Sequence, residues 1–140
     1  MERSVNDIFR EHVHSVEAHS GLTLPPLIKF YVIELLSEYV DKPDRVPPSE
    51  ALIILLDRAQ RAHEKKTVGD LCLWITGVLP TYRAHRGIRR EYYCSIGATA
   101  YSQTHSQVLL EIADNFRLVS DFVKLATHDC ETLYPIRFTD

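Results

Sequence analysis

The sequence predicts an all-α protein, a single-domain bundle of about six helices. Three observations predict it. Apolar residues recur at helical spacing along most of the 140 residues, the recurring segments are separated by Gly/Pro breaks and preceded by capping patterns, and the connections are short. Amphipathic helices joined by short connections must cover one another's apolar faces, which gives an up-and-down or irregular bundle.

The first predicted helix runs from about Val5 to Ala18, with Ser4 and Asp7 as a capping pair and Val5, Ile8, Phe9, Val13 and Val16 as its stripe. The segment SGLTLPP ends it, and Pro25 and Pro26 suit the first turn of a second helix over 26–40. After DKPDRVPP, the run 49–65 predicts a third helix, whose apolar first half suits a central place in the fold. Thr67 with Asp70 predicts the cap of a fourth helix that continues through Leu79 until Pro80. A fifth covers about 88–103. Thr104 with Gln107 predicts the cap of a sixth, the longest, with a stripe of Leu109, Ile112, Ala113, Phe116, Val119 and Val123. The tail 129–140, CETLYPIRFTD from Cys130 on, has turn and extended character and packs as a strap or frays.

Composition narrows the function classes. A domain of this length buries about 68–70% of the surface its unfolded chain exposes, so one real core is available. The 45% hydrophobic and 25% charged content is that of an ordinary globular protein. A net charge of −3 argues against a nucleic-acid partner. Cys72, Cys94 and Cys130 are odd in number, widely spaced and free of any CxxC pattern, which fits neither a disulfide framework nor a zinc site and points to a reducing compartment. MERSVNDIF has no basic region followed by an apolar run, so no signal peptide is expected. The apolar run from Leu71 to Pro80 is far shorter than the ~20 residues a membrane-spanning helix needs, so no membrane partner is expected and a cytoplasmic location is.

The segment from Thr67 to Tyr101 is the most informative. Two apolar, small-residue-containing segments flank an arginine-rich connection carrying Arg83, Arg86, Arg89 and Arg90 with His85, as in a helical hairpin with a basic turn. Asp70 near the start of the fourth helix can accept backbone N–H groups there. Gly77 and Gly97 each cost ~1 kcal/mol in a helix interior, and close helix approach is the first explanation for both. The alternative is room for a ligand between the fourth and fifth helices, lined by Trp74, Tyr92, Tyr93 and Tyr101 and gated by the arginines, whose planar forks can hold carboxylate or phosphate. A solvated loop, or salt bridges between subunits, is the competing explanation of the arginines.

Gly69, Asp70, Leu73, Trp74, Gly77 and Pro80, followed by Tyr92, Tyr93, Ile96, Gly97, Ala100 and Tyr101, resemble a recurring pattern in a family of small bacterial all-helical proteins of unknown function. A weaker echo continues at Leu110, Ala113, Phe116, Val119 and Phe122. The resemblance covers about the C-terminal half and implies an intracellular, mostly helical bacterial protein; it carries no assigned chemistry.

No catalytic signature accompanies these features. Glu11 and His14 form a single Glu-x-x-His, which di-iron bundles use twice, and His12 and His19 lie two turns apart, so no metal site and no cofactor are expected. Cys72 and Cys94 fall in apolar segments where burial makes a thiol inert. There is no G-x-S-x-G and no glycine-rich phosphate loop.

Three functional readings follow. The first is a non-enzymatic homodimeric interaction or regulatory module, because Phe30, Ile33, Ile53, Leu56, Leu118, Phe122 and Leu125 exceed what single core-facing stripes need. It predicts that charge reversal in the arginine turn removes a partner without unfolding the chain. The second is a module binding a small anionic ligand between the fourth and fifth helices. The third is a metal-dependent enzyme using Glu11, His14 and Glu34 or Glu38.

Overall fold

A computed structural model of the chain describes residues 4–40, 49–78 and 89–127, and all elements of these segments are helical. Among the described residues there are seven helices: α1 (Val5–Ser20), α2 (Pro26–Tyr39), α3 (Ser49–Arg58), α4 (Ala62–Val78), α5 (Arg90–Ser102), α6 (Gln107–Asp114) and α7 (Phe116–Ala126). Residues 79–88 of the basic turn and the tail 129–140 lie outside them, and with them Arg83, His85, Arg86, Cys130 and the expected end of the fourth helix at Leu79.

The first helix forms where its caps place it, and the second where Pro26 suits the first helical turn. The Ser4 hydroxyl accepts the Asp7 N–H at 3.1 Å, and α1 ends at Gly21, whose φ of +76° is the left-handed conformation glycine adopts without strain. Glu17 joins this end to α2, accepting the Leu24 N–H at 3.2 Å and pairing with Lys29 at 2.7 Å.

Three boundaries differ from the sequence expectation. The third helix ends at Arg58 rather than near Lys65, and Ile53, Ile54 and Leu55 of its apolar half are exposed, so it is not central. The fourth helix begins at Ala62 rather than near Thr67, because Glu64 caps it: its Oε1 accepts the Arg61 N–H at 3.0 Å. Thr67 is therefore inside α4, where its hydroxyl donates to the His63 carbonyl, and Asp70 lies mid-helix, beyond reach of the free N–H groups of the first turn. The predicted long last helix is two helices. Asn115, at φ −128° and ψ 30°, leaves helical geometry and separates α6 from α7, while its side chain donates to the Glu111 carbonyl. The cap of α6 is Ser106, which accepts the Leu109 N–H at 3.4 Å; Thr104 instead donates to the Tyr101 carbonyl. The longest described helix is consequently α4, with 17 residues.

Helix α4 is the centre of the fold. Every residue from Val68 to Val78 is buried, and α4 packs most extensively on α5, then on α7. Close approach explains Gly77, where a Cβ would lie 2.4 Å from the Val123 side chain of α7, and also Gly97 and Gly69 at the α4–α5 contact. A Cβ on Gly97 would lie 2.4 Å from the Phe116 ring and 2.8 Å from the Cys72 Cβ, and one on Gly69 would lie 2.3 Å from the Tyr101 ring. The rest of the core comes from one face each of the other helices: Phe9 and Val13 of α1, Val32 and Leu36 of α2, Ile112 of α6, and Val119, Phe122 and Val123 of α7.

Candidate functional site: a buried carboxylate beside an open apolar groove

Asp70 is a carboxylate inside the core. Its backbone belongs to the most deeply buried part of α4, and its side chain meets groups from three helices. Oδ1 accepts the Tyr101 hydroxyl of α5 at 2.6 Å and also the Tyr31 hydroxyl of α2, while Oδ2 accepts the Lys66 ammonium one turn earlier on α4 at 3.0 Å. The two phenol rings stand at 89° with centroids 6.2 Å apart, and the Lys66 nitrogen lies 5.3 Å from the Tyr31 ring centre.

These contacts decide the charge states. Burial pushes the Asp70 carboxyl above its ordinary value, against the Tyr101 and Tyr31 hydroxyls and the Lys66 charge, which favour the ionised form. Burial, reinforced by the Asp70 charge, raises both phenols. Tyr31 and Tyr101 are therefore neutral hydrogen-bond donors near pH 7, and neither is poised as a catalytic base.

Tyr31 and Lys66 also face outward, onto a groove of about 460 Å³ between α2, α4 and α6. Its apolar walls are Leu27 and Phe30 on one side and Val108 and Leu109 on the other; Tyr31, His63, Lys66, Thr104 and Ser106 supply its polar groups. No acidic side chain lines it. Leu27 is 65% and Phe30 63% exposed, so the α2 rim projects into solvent. On the far side of Lys66 a smaller, more polar cavity of about 270 Å³ reaches Asp70 and Glu38.

The aromatic residues expected to line a pocket between the fourth and fifth predicted helices are mostly buried. Trp74 is buried against Tyr39, with ring centroids 5.6 Å apart. Tyr93 is fully buried with half-buried Tyr92 edge-on at 5.4 Å, and Tyr101 is committed to Asp70. Arg89 is exposed at the start of α5. Arg90 turns inward: Nη2 donates to Ser120 at 2.7 Å and pairs with Asp121 at 2.6 Å, and Ser120 donates to Thr76 at 2.8 Å. This relay fastens α5 to α7 and α4 and makes Arg90 a structural cation. Arg83 and Arg86 lie outside the described residues.

Asp70, Lys66 and Tyr31 were missed as a group by sequence reasoning. The legible signal was the i, i+4 spacing of Lys66 and Asp70 ahead of a continuously apolar stretch; Tyr31, 39 residues away from Asp70, carried none.

Other sequence candidates are placed as follows. Among the described residues no three His, Cys, Asp or Glu side chains gather as a metal site, and Glu11, His14, Glu34 and Glu38 are exposed. Cys72 is buried and burial pushes its thiol up; Cys94 is half-buried. No helix among the described residues is long and apolar enough to cross a membrane. Of the apolar surplus, Ile33 and Phe122 are buried and Leu56 is half-buried, whereas Phe30, Ile53, Leu118 and Leu125 are exposed, joined by Leu22, Leu27, Ile54 and Leu55.

No protein-family model matches the chain, and no curated protein or solved structure matches it significantly. The resemblance drawn from Gly69 to Tyr101 gains no support from these comparisons.

Proposed function

We propose that this protein is a non-enzymatic helical interaction module that acts as a homodimer, with the outer face of α7 at the centre of its interface. The supporting observation is the pair Leu118 and Leu125, 48% and 50% exposed and two turns apart on one helix face. Two exposed leucines on one face give a partner helix two apolar anchors, and exposed apolar surface that a partner can cover is what interaction sites use. A second copy is the occupant the face suits. An identical helix related by a two-fold axis presents the same seven-residue spacing, and the flanking charges Arg117, Asp121 and Lys124 are of both signs. Native mass spectrometry of untagged protein is the test. A dimer of unmodified chains is expected, and a monomer across the accessible concentration range overturns the proposal.

The groove favours a second reading, a module for a small anionic ligand. Its volume falls within the ~300–1,000 Å³ of small-molecule sites, and its ionisable lining is basic apart from the neutral Tyr31 phenol. The site of this reading lies between α2, α4 and α6 rather than between the fourth and fifth predicted helices.

A further inference from the structure

We infer that the groove between α2, α4 and α6 binds a free single-chain carboxylate, with the apolar chain along Leu27, Phe30 and Leu109 and the carboxylate at Lys66 and His63. The inference names the ligand class for the small-ligand reading and is independent of self-association through α7.

Shape and charge both point to this class. Four aliphatic or aromatic side chains face one another across the groove, so the body of the ligand must be apolar. At ~30 Å³ for each water-sized group, about 460 Å³ holds about fifteen such groups, the size of a medium-length chain with its head. The groove is open at the α2 rim, where Leu27 and Phe30 are 65% and 63% exposed and offer apolar surface to an extended chain.

The polar end selects the sign of the head group. Lys66 and His63 lie one turn apart on α4; no carboxylate lines the groove itself, and Asp70 pairs with Lys66 from within the core through Oδ2 at 3.0 Å. Lys66 is not used up by Asp70: an ammonium carries three donors, one of them directed at Oδ2, and its side chain is 44% exposed. Ser106 and Val108 place the positive end of α6 at the same rim, which adds to the attraction. A cationic head would be repelled by the Lys66 ammonium, which Asp70 already pairs on one side, and a neutral alcohol would forgo the ion pair that a carboxylate makes.

The experiment is amide chemical-shift mapping of the full chain titrated with octanoate, octylammonium and 1-octanol, each below its aggregation limit. Octanoate is expected to give saturable shifts centred on Tyr31, Lys66 and Ser106, and to bind at least ten-fold more tightly than octylammonium. Phe30→Glu and Lys66→Gln should each weaken octanoate at least ten-fold. Phe30 is exposed, so its variant carries the test if loss of the Asp70 partner unfolds Lys66→Gln. Equal affinity for the two head-group charges, unaltered octanoate binding in the folded variants, or no saturable shifts would overturn the inference. So would shifts of these amides with protein concentration alone, because a second copy would then fill the groove. Leu118→Asp, which opposes dimerisation through α7, should leave octanoate affinity unchanged, so failure of one proposal is distinguishable from failure of the other.

Discussion

The Tyr101 hydroxyl donates to Asp70 Oδ1 across 2.6 Å inside the α4–α5 contact, at a point where α4 has a glycine, Gly69, under the Tyr101 ring. The glycine lets the ring approach, the ring brings its hydroxyl to the carboxylate, and the carboxylate in turn holds Lys66 and Tyr31. Removing the hydroxyl should therefore cost what a hydrogen bond to a charged group contributes, about 1.5–3 kcal/mol for Tyr101→Phe. Tyr31→Phe should cost less, since Tyr31 is half-buried and water can replace it. Urea unfolding at neutral pH measures both, and equal costs would contradict the ordering.

The same carboxylate sets a pH dependence of unusual sign. Burial holds Asp70 above its ordinary value of 3.8, so the folded chain binds this proton more tightly than the unfolded chain does. Its contribution to stability is complete below about pH 3.8 and is lost as pH rises through the higher native value. Glu17 acts in the opposite sense: burial raises it, but Lys29 and the Leu24 N–H together pull it below 4.5, so its contribution is present above that value and lost as pH falls. Comparison with Asp70→Asn isolates the first effect. From about pH 4 upward the wild type should lose stability relative to the variant, by at most about 1.4 kcal/mol per pH unit. A constant difference would show that Asp70 is not shifted.

Gly97 should not tolerate a methyl group. The Cβ of Gly97→Ala would meet the Phe116 ring and Cys72 at distances that force one of two packed helices to move. The expected cost is about 1–3 kcal/mol despite the better helix propensity of alanine. Thermal unfolding followed by circular dichroism measures it, and a stabilised variant would contradict the packing described.

Arg90 should behave as a structural residue. Arg90→Ala strips Ser120 of its donor and Asp121 of its cation, with an expected loss of about 1–3 kcal/mol. Arg89→Ala, at an exposed position without a side-chain cap bond, should be within about 0.5 kcal/mol of wild type. Denaturant midpoints of the two variants separate the roles; equal midpoints would remove the Arg90–Ser120–Thr76 relay from the account. The earlier expectation that reversing the arginine charges spares folding therefore does not extend to Arg90.

The helical class and the first two helices were legible because their signals are local: the Ser4 cap, Gly21 and the Pro25–Pro26 start lie within a few residues of the turns they define. The starts of α4 and α6 were less legible because two capping patterns competed at each. Thr67-x-x-Asp70 fits the pattern as well as the Glu64 cap does, and tertiary contacts to Tyr31 and Tyr101 commit Asp70 elsewhere. Asn115 is compatible with an unbroken stripe from Leu109 to Val123, so periodicity alone does not reveal the break. The groove was illegible for a similar reason. Its walls come from α2, α4 and α6, and only their packing brings Phe30, Lys66 and Leu109 to one place.

The most direct test of the proposed homodimer is sedimentation equilibrium of the wild type and Leu118→Asp/Leu125→Asp over a wide concentration range. The account predicts a wild-type dimer and a variant that is monomeric with an unchanged helical spectrum, since both side chains are half exposed in the free chain. A wild type that stays monomeric throughout, or a variant that dimerises as tightly as the wild type, would contradict it.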